Sequence, residues 1–174
     1  MNIPWDEIRT ALRKEIIDND PSGDDAARRA LEMILGEEAL RTSVDYYVAV
    51  GPASELVRSV LWLLRPWSAM VRCKELAQAS NDIETRRRAV YLLQAAADRR
   101  ALGWVAEFLN DDDPQIQSCG AGVLDQLLWS ESVEVEEAEE LLLRAAGHAN
   151  EGVRQRAEFI RSYLTDRRLG GRLT

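Results

Sequence analysis

One histidine and two cysteines leave this chain poor in the imidazole and thiolate groups that build zinc sites and activate nucleophiles. His148 stands alone, Cys73 and Cys119 have no metal-like spacing, and no Gly-rich phosphate loop occurs. Metal, triad and nucleotide sites therefore find no support, and no cofactor is expected. Both cysteines fall in helical patterns and read as buried free thiols of a reducing compartment rather than a disulfide. Prolines number 5 and glycines 10 among 174 residues, too few for a turn-rich β architecture and well suited to helices. Apolar runs stay short, as at Val60 to Leu64, far below the ~20 residues of a membrane span. No basic-then-apolar leader is read at the start, so a cytoplasmic, membrane-free protein is the expectation. Net basic charge is also lacking: the chain carries −8, and only residues 61–110 are locally basic. A nucleic-acid partner, which needs cationic surface to displace counterions, is disfavoured. An acidic surface instead favours encounter with a basic protein.

What the chain does contain is a recurring pattern. An Asp, Asn or Ser stands first, at Ser54, Asp82, Asp113 and Asn150. Three residues on comes a β-branched residue, at Val57, Thr85, Ile116 and Val153, and four further on a small or aliphatic one, at Leu61, Ala89, Gly120 and Ala157. The first position suits a helix N-cap, most clearly at Asp113 before Pro114. The other two share one helical face and should be buried, with Gly120 and Ala157 marking close helix approach. Apolar-periodic stretches at 69–79, 100–109 and 135–146 lie between the copies, so each unit reads as two helices with the marked one second. Helix pairs recurring every 30 to 40 or so residues indicate an α-solenoid.

These units resemble HEAT repeats, whose second helix typically begins Asp-x-x-Val-Arg-x-x-Ala. Asn150, Val153, Arg154 and Ala157 match with Asn for Asp; the copy at Asp82 departs at Thr85, and the copy at Asp113 departs at Gln117 and Gly120. The resemblance, covering roughly residues 54–164, implies an all-α, right-handed solenoid of antiparallel helix pairs, a single domain of about eight or nine helices over 1–166. Residues 1–52 read as less typical cap helices, 53–166 as the recognisable repeats, and 167–174 as a flexible tail.

Along the chain, Pro4 is placed in a first helical turn with Trp5 packed beside it. Ser22 is read as a cap for a helix ending before Gly36, with Ala27, Leu31, Ile34 and Leu35 as its buried stripe. Residues 37–50 fit both strand alternation and helical spacing, and their helical surroundings favour helix. Ser68 is a candidate cap for the helix through Ala79.

For function, the positions two, six, nine and thirteen past the β-branched residue form one ridge of each second helix. They hold Arg87, Tyr91, Gln94 and Asp98, then Ser118, Gly122, Asp125 and Trp129, then Gln155, Phe159, Ser162 and Asp166. Second helices of a solenoid usually line its concave side. Arg87, Tyr91, Asp125 and Trp129 are therefore candidate binding residues, against the alternative that the aromatics pack on neighbouring units. Glu136, Glu137 and Glu140, within the acidic cluster 131–140, are candidates for docking a basic partner, against a plain solvated helix face. The Arg86 to Arg88 island reads better as pairing with a neighbouring N-cap than as an anion site, and His148 as a helix-end contributor. The expectation is a non-enzymatic protein-binding module, in its sharper form similar to bacterial immunity-type proteins that neutralise a basic toxin. Two alternatives stay open. One is an enzyme or cofactor handler on the same scaffold, as in alkyl-base DNA glycosylases and bilin lyases, for which Asp125 and Trp129 would supply part of a site. The other is a scaffold subunit, favoured by any exposed patch of Trp62, Leu63 and Trp67.

Overall fold

In the structure, a computed structural model, residues 3–19 and 23–170 are described, with side chains outside 13–19, 23–25 and 168–170. Among the described residues ten α-helices follow one another, against the eight or nine expected: α1 (Trp5–Asn19), α2 (Gly23–Leu35), α3 (Glu37–Val48), α4 (Ser54–Leu64), α5 (Trp67–Ala79), α6 (Ile83–Ala96), α7 (Leu102–Leu109), α8 (Pro114–Trp129), α9 (Val135–Ala146) and α10 (Glu151–Gly170). A short 3-10 turn at Arg99–Ala101 leads into α7, and no strand occurs among the described residues. The ambiguous stretch 37–50 is helical through Val48.

Breaks fall where the backbone chemistry demands them. Gly36 sits at φ 81°, a conformation open to glycine, between α2 and α3. Arg65 takes the left-handed conformation at φ 46° as α4 ends, and Pro66 begins the next helix from extended backbone. Asp82 and Asp113 cap α6 and α8 by accepting from the amides of the second and third helical residues.

Helix α6 packs on α5 and α8, α8 on α7 and α10, α3 on α4 and α5, and α9 on α8 and α10. One cluster of buried side chains runs from Leu40 on α3 to Tyr163 on α10. Of the expected seam, Ile116 and Val153 are fully buried, as are Ala89 and Ala157, and Gly120 sits so close to Phe108 that an added Cβ would stand 2.6 Å from that residue's Cβ. Thr85 departs: it is only half-buried, because its hydroxyl turns to donate to the cap carboxylate of Asp82 at 2.6 Å.

Several other expectations need correction. Trp5 is 60% exposed rather than packed, and Pro4 precedes α1, accepting from the amides of Glu7 and Ile8. Ser68 lies inside α5, not before it; the helix start is capped from a distance by Glu32 of α2, which accepts from the Ser68 amide and hydroxyl, both at 3.1 Å. With α2 held there, Ala27, Leu31 and Leu35 of the expected buried stripe face solvent and only Ile34 is half-buried. Helix α10 runs on to Gly170, so the expected tail is helical through that residue, and 171–174 lie outside the described residues. The expected cap at Ser22 also lies outside them.

Candidate functional site

The residue after each β-branched position does the same work in three successive units. Arg86 Nε donates to the Ala77 carbonyl at 2.7 Å, Gln117 Nε2 to that of Asp111 at 2.7 Å, and Arg154 Nη1 to that of His148 at 2.7 Å. Gln117 and Arg154 thus tie their helix starts to the preceding loop, and Arg86 ties α6 to the last turn of α5. Forward links join one unit to the next. Arg86 pairs with Asp111, Arg87 with Asp113, and Gln117 Oε1 accepts from Asn150 Nδ2 at 2.9 Å. His148 adds another link: its Nδ1 accepts from the Asn150 amide at 3.0 Å, so Nε2 carries the ring proton and donates to the Leu109 carbonyl at 2.8 Å.

The arginine island is thus occupied within the protein. Arg87 forks onto Asp113 and also meets Glu84, while Arg88 donates to the Val48 carbonyl at 3.0 Å. Within the island, the partner of the neighbouring N-cap is Arg87, on Asp113.

On the ridge, the structure separates two kinds of residue. Asp125 is buried: its Oδ2 accepts from Arg156 Nη1 at 2.9 Å, and its Oδ1 has no hydrogen-bond partner among the described residues. Gln94 lies against Gly122, where an added Cβ would stand 2.4 Å from Gln94 Oε1. These polar positions join adjacent second helices. The aromatics stand more open: Tyr91 is 47% exposed, Trp129 54% and Phe159 52%.

Trp129 is nevertheless held rigidly. Its ring meets Tyr163 edge-on at 5.2 Å, Tyr163 meets Phe159 at 5.5 Å, and the Arg167 guanidinium lies over both Trp129 and Tyr163. Arg167 also donates to the Trp129 carbonyl at 3.0 Å and pairs with Glu131. Burial, then the Asp125 charge, pushes the Tyr163 hydroxyl well above its ordinary range, so it stays protonated. Tyr163, Arg156 and Arg167 were not singled out from the sequence. Arg156 stands three past Val153 and Asp125 nine past Ile116, an offset of six residues on the shared frame that spacing within one helix does not report.

Glu136, Glu137 and Glu140 are exposed on α9, which turns Ala138, Leu142 and Ala145 inward. Glu137 pairs with Arg99 at 2.9 Å. No hydrogen bond or ion pair among the described residues joins these acids to the ridge. Trp62, Leu63 and Trp67 are all exposed, and Trp67 also stacks on Trp104 at 5.3 Å, with Arg100 over the Trp67 ring and Lys74 over that of Trp104. A separate groove of about 760 Å³ opens among Leu35, Gly36, Ala39, Thr42, Tyr46 and Val57. Among the described residues no three His, Cys, Asp or Glu side chains gather as metal ligands would, and no helix is long and apolar enough to cross a membrane. Compared with known families, curated proteins and solved structures, the chain matches none of them.

Proposed function

We propose that the chain is a HEAT-like α-solenoid of right-handed, antiparallel helix pairs that binds another protein through its second-helix ridge and carries out no catalysis of its own. The observation that carries this reading is the exposure of Tyr91, Trp129 and Phe159 on a ridge whose polar members are tied down internally. Fixed, half-exposed aromatics lose little entropy on docking and supply the large contacts that dominate binding energy. The repeated bridging by Arg86, Gln117 and Arg154 supports the solenoid part, since equivalent residues perform equivalent links in consecutive units.

The partner in this reading is basic. The net charge of −8 and the exposed acids Glu136 and Glu140 on α9 favour it electrostatically. An immunity-type role, neutralising a basic toxin in the cytoplasm, is the sharper form. Affinity capture from the native lysate at physiological salt, with wild type beside a Tyr91→Ala, Trp129→Ala, Phe159→Ala variant, tests the reading. A basic protein retained by the wild type and lost by the variant is the expected result. Capture of no protein, together with binding of a small molecule or tight binding of DNA at low salt, would overturn it in favour of a site of enzymatic type.

A further inference from the structure

In the later units, three residues on one side of α8 and α10 reach the second helix before them. Gly122 lies against Gln94, Gly152 approaches Ser118 Oγ, and Arg156 reaches Asp125. The equivalent positions on α4, set by the same repeat frame, are Leu63, Leu56 and Val60. All three are apolar and exposed, because α2 touches α4 only lightly. A helix-docking face is therefore present on α4 and left bare among the described residues.

The same chain carries a matching helix. Helix α2 is held by Glu32 at the start of α5, and this contact leaves Leu31 and Leu35 pointing outward. The two stripes converge on one opening: Leu35 at the end of the α2 stripe and Val57 beside the α4 stripe both line the 760 Å³ groove. We infer that this end of the molecule is a self-association surface, on which α2 of one copy lies along the α4 face of a second copy and the reverse. A two-fold pairing satisfies both stripes at once, since each copy supplies one helix and one face.

The area agrees with this occupant. Leu31, Leu35, Tyr46, Leu56, Val60 and Leu63 are between 38% and 66% exposed. Together they present on the order of 500 Å² of apolar surface, near the upper end of what a monomer leaves bare. With a polar rim this approaches the ~800 Å² per partner of a stable interface. The inference uses none of Tyr91, Trp129 and Phe159, so its test is independent of the binding reading above.

Sedimentation velocity on the full chain tests the inference, with Leu31→Lys and Val60→Glu as variants at exposed positions and circular dichroism to confirm that each remains helical. Wild type is expected to sediment at twice the chain mass, and each variant alone at the chain mass. Mixing the two variants is expected to restore the dimer, because one of the two contacts then pairs Lys with Glu and the other keeps its native apolar residues. A monomeric wild type, a dimer indifferent to both substitutions, or a mixture that stays monomeric would each overturn it.

Discussion

Arg87 on α6 grips Asp113, the residue that caps α8, with Nε 3.2 Å from each carboxylate oxygen and Nη2 2.7 Å from one of them. The same carboxylate accepts the Gln115 and Ile116 amides at 3.0 Å. One side chain thus starts a helix and fastens it to the preceding unit. Loss of the cap in Asp113→Ala is expected to cost about 1 to 2 kcal/mol in chemical denaturation. Asp113→Asn, which keeps an acceptor oxygen for the amides, is expected to lose less.

The pH dependence follows from the same contact. Arg87's hydrogen bonds, joined by the Ile116 and Gln115 amides and opposed by burial, hold the Asp113 carboxyl below its usual range; Arg41 does the same for Glu75. A depressed folded value means that the unfolded chain takes up the proton first. The stabilisation is fully present above the unfolded value of about 3.9 and is lost as pH falls through the lower folded value. Wild type should therefore lose unfolding free energy below about pH 4, and Asp113→Asn should show a shallower acid limb. An identical limb in the two proteins would show that Asp113 does not contribute to it.

Gly120 makes a second prediction. An added Cβ would meet Phe108 Cβ at 2.6 Å and the Phe108 backbone carbon at 3.3 Å, and neither can swing away as a flexible chain end could. Gly120→Ala gains helix propensity but overpacks the α7–α8 contact, and the net expectation is a loss of about 1 to 3 kcal/mol. Gly122→Ala is the internal control. Its added Cβ meets only the end of Gln94, which can rotate, so its loss should be smaller. Thermal denaturation of the two variants side by side gives the ranking.

The second half of the chain was legible because its signals are local and periodic. Asp113 followed by Pro114 marks a helix start by short-range chemistry alone, and the burial of Ile116, Gly120, Val153 and Ala157 follows from their spacing on one face. The first part misled for a long-range reason. The stripe Ala27, Leu31 and Leu35 has helical spacing, but Glu32 finds the open amides at the start of α5, 36 residues away, and that contact decides which side of α2 faces in. Thr85 lost its place in the seam to a cap contact of its own hydroxyl. At the site, exposure of Tyr91 and Trp129 agreed with the ridge, whereas the engagement of Asp125 depends on Arg156 across a helix interface, which spacing within one helix does not report.

The cysteines give a probe of opening. Cys73 is fully buried on α5 and Cys119 nearly so on α8, and burial raises the thiol pKa of both. The thiolate is the reactive form, so native protein at pH 7 should resist a maleimide at both positions. Modification of Cys73 should track global unfolding in a denaturant series, with Cys119 reacting no slower. Rapid native labelling of Cys73 would reveal a local opening of α5 that its packing on α3 and α6 does not suggest.

The ridge aromatics divide into those that can be removed at little structural cost and one that cannot. Tyr91 is half exposed and Phe159 more so, so alanine at either should leave stability within roughly 0.5 to 1 kcal/mol of wild type. Trp129 is also exposed, but it carries the edge contact to Tyr163 and lies under Arg167, so Trp129→Ala should cost about 1 kcal/mol or more, whereas Trp129→Phe keeps a ring in place. If the ridge serves docking, Tyr91→Ala should lower affinity for a captured partner at least tenfold with its melting temperature nearly unchanged. Trp129→Phe should fall between wild type and Trp129→Ala in both measurements. Affinities that instead follow melting temperature across the set would assign these rings to packing and leave the ridge without a binding role.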